Sequence, residues 1–464
     1  MPAPYLTSVA APAADLVIRN AHVLDPNTGI DGLHDVVVRD GEIAEIAAPG
    51  SAQVPEGAEV IDGQGRHLFA AFFDPHVHLR TPGHEHKEHI ETGTRAAAAG
   101  GYCGVIAMPN TDPVLDSAPL LSALQEAAEQ DARVPVGFMP AITMGLKGQT
   151  LTEMAELRAQ GAIGFTDDGK PVTSAGILRR AMRYQKLCGG VLALHEEDPT
   201  LSGHGVMHEG EISARLGLAG YPSVGESTMV ARDAALALDE EARTHFQHLS
   251  AWQSVEALAS FKERGAPVSG EASPHHLLLT DEAVLSLDTR MKMNPPLRSE
   301  RDRQAVIEGL KSGVIECIAT DHAPHAAFEK DVPFEEAPMG TTGLETAFAA
   351  VYTGLVQPGI LPLELVLERF TAGARLMNLP VPQIAVGQPA NVCLVDLEAK
   401  WQVGESGYES RSENCCFAGR ELHGKVLLTV AAGAVAYRER AFALSAGTAL
   451  ASAGPGSPRL RVVE

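Results

Sequence analysis

The chain has 464 residues, 45% of them hydrophobic, enough for one large core with a smaller unit beside it. Acidic residues outnumber lysine and arginine by 59 to 36, a formal net charge of -23 that excludes nucleic acid as the main partner but not a small anion held in a locally basic pocket. No signal peptide and no membrane span are expected from the run of residue types, and six cysteines without a C-x-x-C pair suit a reducing compartment, the cytoplasm.

In chain order, residues 1–14 read as a flexible start. Short β-rich runs follow at Asp15–His22, Asp35–Arg39, Glu42–Ile46 and Glu59–Ile61, separated by the turn signals Pro26-Asn27, Asp40-Gly41 and Asp62-Gly63. From Leu68 the texture changes. Apolar runs at Leu68–Phe73, Gly101–Ala107, Pro135–Pro140, Ala162–Phe165, Val191–Leu194, Thr244–His248, Pro267–Glu271 and Val314–Ala319 predict strands. Between most of them lie helical stretches such as Glu91–Ala99, Ala118–Glu129, Gly176–Leu187 and Thr228–Leu238, with leucine and alanine recurring at three and four. That alternation predicts an α/β fold with eight parallel strands, a (β/α)8 TIM barrel, over 68–379. Short apolar runs return at Ala390–Asp396, Lys425–Ala431 and Ala434–Tyr437. With 15–67, the segment 380–440 is expected to build one small discontinuous β-sandwich-like domain. Residues 441–464, rich in Ala, Ser, Gly and Pro, read as a flexible tail.

The chemistry gathers where predicted strands end. In Asp74-Pro75-His76-Val77-His78, an extended backbone turns His76 and His78 to one side, and a barrel of this kind places its site at that end of its strands. Imidazole pairs suit zinc and similar divalent ions. His195 and His248 close two more apolar runs, and Asp168 and Asp321 close another two. Four histidines and two carboxylates at one end can hold two metals with a shared carboxylate, polarise a carbonyl and activate a bridging water. Asp321 is the natural general base. Arg80 continues the phase of His76 and His78, and its fork of donors suits a carboxylate. Asn110 offers an amide at the end of the second run, Asn294 lies in the loop after the seventh, and His325 sits where it can bond a ligand. His322 reads as support for Asp321. His84, His86 and His89 read as loop or helix-surface residues, and His204, His208, His275 and His276 stay outside the ligand set. Cys103, Cys188 and Cys317 read as small core residues, and adjacent Cys415 and Cys416 would bridge poorly.

The segments DPHVHLRTPG at 74–83, ETGTRAAAAGG at 91–101, MPNTDPV at 108–114, GFTDDGKPV at 164–172 and ALHEED at 193–198 resemble the dihydroorotase family of the amidohydrolase superfamily. So do EASPHHLLLTD at 271–281, KMNPPLRSERDRQAVIEGL at 292–310 and IATDHAPH at 318–325. The resemblance, to the bacterial single-function class, runs from about Asp15 to Tyr437. It implies two zinc ions bridged by Asp168 and a hydroxide, with His76 and His78 on the first metal, His195 and His248 on the second, and Asp321 as first-metal ligand and base. It maps substrate contacts onto Arg80, Asn110, Asn294, His325 and the backbone of Met339-Gly340. The implied reaction is the reversible cyclisation of N-carbamoyl-L-aspartate to (S)-dihydroorotate in pyrimidine synthesis. Two other readings are a hydantoinase- or allantoinase-like cyclic-amide hydrolase, which would use a carboxylated lysine where Asp168 stands, and an inactive scaffold of aspartate transcarbamoylase, which the intact ligand set opposes. The expected partners are a small anionic substrate and a second copy in a homodimer, with association with aspartate transcarbamoylase left open. The chain departs from the family pattern at Thr81, where glutamate is usual, and at Asn414-Cys415-Cys416-Phe417, where Asn-Thr-Pro-Phe is usual.

Overall fold

Two hydrogen-bonded assemblies of strands account for the architecture of this computed structural model, which describes residues 5–445. The opening strands are β1 (Leu16–Asp25), β2 (Ile30–Arg39), β3 (Glu42–Ala47), β4 (Glu59–Asp62) and β5 (His67–Ala70). Then come β6 (Phe72–Val77), β7 (Tyr102–Ala107), β8 (Val136–Phe138), β9 (Phe165–Thr166) and β10 (Leu192–Leu194). A short pair, β11 (Met207–His208) and β12 (Gly220–Tyr221), lies in the connection to β13 (Thr244–Phe246), β14 (Val268–Ala272) and β15 (Cys317–Ile318). The last strands are β16 (Val392–Gln402), β17 (Glu421–Ala431) and β18 (Ala434–Arg438).

The middle strands pair in parallel and in sequence. β6, β7 and β8 form one ladder, and β9, β10, β13, β14 and β15 form another. Ile163 N–H donates to the Phe138 carbonyl at 3.0 Å and Thr166 N–H to that of Pro140 at 2.9 Å, which joins β8 to β9. His78 N–H donates to the His322 carbonyl at 2.9 Å, and Val77 bridges His322 in parallel. The hydrogen bonds therefore return to the strand from which they started.

Every residue of β6 and β7 is buried, as strands covered on both faces must be. Helices between strands bury one stripe each. In the helix Ala175–Cys188, Ile177, Leu178, Ala181, Met182, Gln185 and Cys188 face inward. Its Ser174 hydroxyl caps Ile177 N–H, and Gly189 ends it. The helix Glu300–Ser312 opens on a capping box between Ser299 and Asp302 and stops at left-handed Gly313.

The end segments meet as expected. β5 pairs in parallel with β1 and antiparallel with β16, Leu68 facing Leu394. One eight-stranded sheet results, and it folds over a shared core in which Ile18, Val36 and Val38 pack with Leu394, Leu428 and Val430. At the turns β2–β3 and β17–β18, Asp40-Gly41 and Ala432-Gly433 all have positive φ. The two glycines touch backbone to backbone, and a Cβ on Gly41 would come within 2.9 Å of the Gly433 oxygen.

The structure departs from expectation at three places. The apolar run 68–73 is not one strand. It changes partner at Ala71, with β5 in the end sheet and β6 in the ring, and a continuous apolar run carries no sign of that exchange. The start is not loose throughout. Thr7 pairs with Val136 through bonds of 3.1 and 2.8 Å, and Tyr5 N–H reaches the Gly161 carbonyl. The expected tail begins inside a helix, Arg440–Ser445, and the rest of it, with residues 1–4, lies outside the described residues. No helix of the described residues is long and apolar enough to cross a membrane.

Candidate metal centre

The strand ends bring all six expected ligands together. Asp168 sits at the middle. Its Oδ1 lies 3.4 Å from His76 Nε2, 3.6 Å from His248 Nε2 and 3.8 Å from His195 Nδ1, and its Oδ2 lies 3.4 Å from His78 Nε2. Asp321 Oδ1 is 3.1 Å from His78 Nε2 and 3.5 Å from His76 Nε2. His195 Nδ1 and His248 Nε2 face each other at 2.9 Å. All six side chains are buried.

The neighbours of Asp168 show why it and not Asp167 faces inward. Asp167 Oδ1 accepts the N–H groups of Ile142 and Thr143 at 2.8 and 2.9 Å, and its Oδ2 accepts the Thr143 hydroxyl. Burial pushes the Asp167 carboxyl up to about 6. Alternation along the chain then turns the next side chain to the other face, toward four imidazoles. Burial opposes the charge of Asp168 as well, yet those rings, His76 foremost, hold its carboxyl well below the usual range.

The donor set fits divalent metal. His76 Nδ1 bonds Glu271 Oε1 at 2.6 Å, which places the ring proton there and leaves a lone pair on Nε2. That Nε2 is buried, has no hydrogen-bond partner among the described residues, and points at Asp168 and Asp321. A buried lone pair aimed between two carboxylates suits a cation. The ligand atoms of His76, Asp168 and His248 lie within 4.8 Å of one another, as do those of His76, His78 and Asp321, so two overlapping triads share His76.

Backbone conformation supports the same focus. Arg80, His248 and Asp321 all hold left-handed backbone, with φ of 60°, 33° and 48°. Such residues persist where surroundings over-determine them, and they cluster at sites. For Arg80 this corrects the period-two argument. β6 ends at Val77, so a turn and not strand phase places the guanidinium. Arg80 is buried, and its Nε donates to the Pro324 carbonyl at 3.2 Å.

The other expected contacts surround the centre. Asn110 Oδ1 accepts from His78 Nδ1 at 2.8 Å, so this amide orients a ligand histidine and keeps Nδ2 for other work. Asn294 Nδ2 donates to Glu197 Oε2 at 2.8 Å, and its buried Oδ1 has no hydrogen-bond partner among the described residues. His325 Nε2 bonds the Met339 carbonyl at 2.9 Å, and Gly340 follows at φ 141°, where a Cβ would meet the Ala323 oxygen at 2.8 Å. Burial, then the charges of Arg80, Lys330 and Lys87, keep His325 neutral. His322 does support the neighbourhood, with Nδ1 accepting Gly343 N–H and Nε2 3.4 Å from Glu88. His276 is buried behind the site with Nε2 on the Pro295 carbonyl, and His89 caps the helix Ile90–Ala99.

Several residues escaped sequence reasoning. Glu271 bridges His76 and His245, whose Nε2 is 3.0 Å from Oε2. Burial alone would push its carboxyl up, but the two imidazoles hold it below the usual range. Its signal was a carboxylate at the end of a barrel-type strand, the same signal that marked Asp321. Glu197 stands 3.2 Å from His195 Nε2. Asn414 accepts His325 N–H and donates to the carbonyls of Ala323 and Gly340. Cys415 and Cys416 beside it are free and buried in an apolar cluster.

A family model described as Dihydro-orotase-like matches residues 65–256. A protein named dihydroorotase from Anaeromyxobacter dehalogenans (strain 2CP-C) is 46% identical over 430 residues, covering 91% of this chain and 98% of that one. One of the same name from Pelotomaculum thermopropionicum is 44% identical over 426 residues, 92% and 99% of the two chains. Among solved structures, an L-hydantoinase (dihydropyrimidinase) from Arthrobacter aurescens superposes with a TM-score of 0.81 at 24% identity, covering 91% and 96%. A D-hydantoinase (dihydropyrimidinase) from Thermus sp. gives 0.78 at 25% identity, covering 91% and 95%. The first of these two likenesses speaks for the fold alone.

Proposed function

The chain belongs to the dihydroorotase family, and from that premise we propose that its six-residue centre interconverts N-carbamoyl-L-aspartate and (S)-dihydroorotate. The observation that carries the reading is Asp168 in the midst of four imidazoles with Asp321 alongside, on a chain this similar to dihydroorotases over nine-tenths of its length. An aspartate at the shared position, with no lysine among the six, favours this activity over a hydantoinase or allantoinase. We read the ring of strands as a (β/α)8 barrel, with the end sheet, built from 15–70 and from the chain after 379, as its small second domain.

His76, His78 and Asp321 would hold one zinc ion, His195 and His248 a second, and Asp168 both. Bound zinc supplies a Lewis acid for the carbonyl and lowers the pKa of water. In ring opening, Asp321 takes a proton from the attacking water as oxygen bonds the ring amide carbon. The C–N bond breaks, and Asp321 returns the proton to the departing nitrogen. Ring closure is the reverse. Arg80, anchored through Nε, keeps its terminal N–H groups for the ring carboxylate. Asn110, whose Oδ1 is taken by His78, keeps Nδ2 as a second donor. The orphaned Asn294 Oδ1 suits a ring N–H better than a carboxylate. Met339 and Gly340 offer backbone to the ring, with His325 holding Met339 in place.

The test is turnover of carbamoyl aspartate, dihydrouracil, hydantoin and allantoin by the zinc-loaded protein. Carbamoyl aspartate alone should cyclise at a useful rate. Preference for hydantoin or allantoin would replace the reading, and turnover of none would return the scaffold reading. A cytoplasmic homodimer is the assembly we propose, with light scattering, alone and with aspartate transcarbamoylase, as its check.

A further inference from the structure

Lys330 ends the short helix Ala327–Lys330, and its side chain is buried. Its ammonium donates to three backbone carbonyls, Pro338 at 2.7 Å, Thr289 at 3.0 Å and Lys292 at 3.3 Å. Three acceptors match the three N–H groups of an ammonium. Among the described residues no carboxylate stands within ion-pair distance of it, so backbone dipoles, with the charges of Asp288 and Glu329 farther off, offset the loss of water around the charge. Burial, and then Lys292, push the group down to about 7. A buried cation without a directly paired counter-ion is expensive, which asks for a reason.

The three carbonyls belong to two separate segments. Thr289 and Lys292 precede Asn294. Pro338 precedes Met339 and Gly340. The helix that carries Lys330 follows His325. The bonds are reinforced locally. Thr289 Oγ1 donates back to the Lys330 carbonyl at 2.6 Å, and Gly340 N–H donates to the Lys292 carbonyl at 2.9 Å. Lys292 Nζ reaches the Glu335 carbonyl at 2.8 Å and lies over the Phe334 ring. One ammonium is thus the joint at which the segments carrying Asn294, His325 and Met339-Gly340 meet. It also adds positive charge beside Arg80 and Lys87 in a protein whose net charge is -23.

We infer that Lys330 is a positioning residue for substrate: it locks the Asn294 loop to the Met339-Gly340 loop and biases that rim toward an anionic ring. The inference rests on the dihydroorotase reading for the identity of the substrate, but the joint itself does not. Loops held about 1 Å out of place lose about 10²-fold. Substitution should therefore weaken binding and leave the metal centre alone.

The experiment compares the zinc-loaded parent with Lys330→Met, which keeps the stem and removes the donors. Three quantities are read: zinc content, KM and kcat for dihydroorotate, and the rate of chymotrypsin cleavage after Phe334, identified by mass. The expected result is unchanged zinc, KM raised about tenfold to a hundredfold, kcat within about threefold, and cleavage faster by about tenfold. Phe334 is 5% exposed in the locked state, so faster cutting reports loosening of this segment. A folded variant with KM within about threefold of the parent, or with its loss confined to kcat, overturns the inference. If Lys330→Met does not fold, Thr289→Val decides, since it removes only the hydroxyl bond to the same joint. It should raise KM a fewfold and quicken the same cut, and no change in either overturns the inference. If the parent turns over no dihydroorotate, the functional reading fails by itself, and the cleavage rates still decide whether Lys330 holds the loops.

Discussion

The six-residue centre and the rim around it are held by different means. In the centre each side chain leaves the end of a ring strand or the residues just past it, and braces come from other ring strands or the residues just past them: Glu271 on His76, Asn110 on His78. On the rim the braces come from residues outside the ring strands. Asn414 clips His325 to Gly340, and Glu88 ties His322 to Ser410 and Arg411. Lys330 joins two further loops. A strand end is rigid because its ladder fixes it on both sides, so it suits groups that must meet within tenths of an ångström. A loop must be pinned by single side chains, which leaves it adjustable and suits recognition. Damage to the centre should therefore appear as lost metal and lost kcat, and damage to the rim as altered substrate binding with metal retained.

The largest effect expected is from Asp168→Ala, with undetectable turnover and reduced zinc. The parent should hold two zinc ions per chain at full loading. Asp167→Ala, whose carboxylate is spent on Ile142 and Thr143, should keep most of the zinc and lower the melting temperature. Elemental analysis and thermal melts separate the two. Equal zinc loss in both would mean that the centre extends to Asp167, and a parent that stays at one zinc with full activity would show the second site to be dispensable.

Next in size is Arg80→Lys, which probes the rim's side of the division. It should retain both metals and lose about one to three powers of ten in kcat/KM for dihydroorotate, because lysine keeps the charge but not the fork. Unchanged turnover, or a loss matched by lost zinc, would erase the boundary drawn here. Where the parent turns over uncharged dihydrouracil at a measurable rate, a loss absent with that ring would place Arg80 in carboxylate recognition.

Glu271→Gln sharpens the account of the centre. The amide can still meet His76 but cannot fix its tautomer by charge, and outer partners of metal ligands are worth about 10- to 100-fold in metal affinity or activity. Zinc competition with a chromophoric chelator would measure it, and parent-like affinity would remove Glu271 from the metal's support.

The smallest effect concerns acid. His208, in the connection after β10, is buried beside Arg298, and burial and that charge push it down to about 4. Above its unfolded value of 6.5 the ring is neutral in both states, so it contributes no pH dependence there. Below it the unfolded chain takes up a proton that the folded chain refuses, so stability falls from pH 6.5 toward 4. His208→Gln should flatten that part of the curve of melting temperature against pH. An unchanged slope would show that His208 is protonated in the folded protein.

Much of the centre was legible because its signals are local. His76 and His78 stand two apart after an apolar run, and His195, His248, Asp168 and Asp321 each close one, so strand geometry alone sends them to one end. Glu271 carried the same signal but nothing to single it out, since its partner His76 lies 195 residues away. The handover from β5 to β6 at Ala71 was hidden because both strands are apolar and differ only in their neighbours. Arg80 was placed near the right spot by an argument that its left-handed backbone does not obey.

Residue types and their spacing by themselves determined the alternation of strands and helices, the pairing of the two ends in one small β unit, and the gathering of six candidate ligands at one end of the ring. Each of these follows from periodicity along a short stretch of backbone. Only the tertiary structure decided what holds Asp167 on the other face, its bonds to Ile142 and Thr143, which carboxylate sets the tautomer of His76, and that Lys330 and Asn414 hold the rim. Those outcomes depend on which groups meet across the fold, and a polar side chain in sequence carries no mark of the distant carbonyl or ring that will satisfy it.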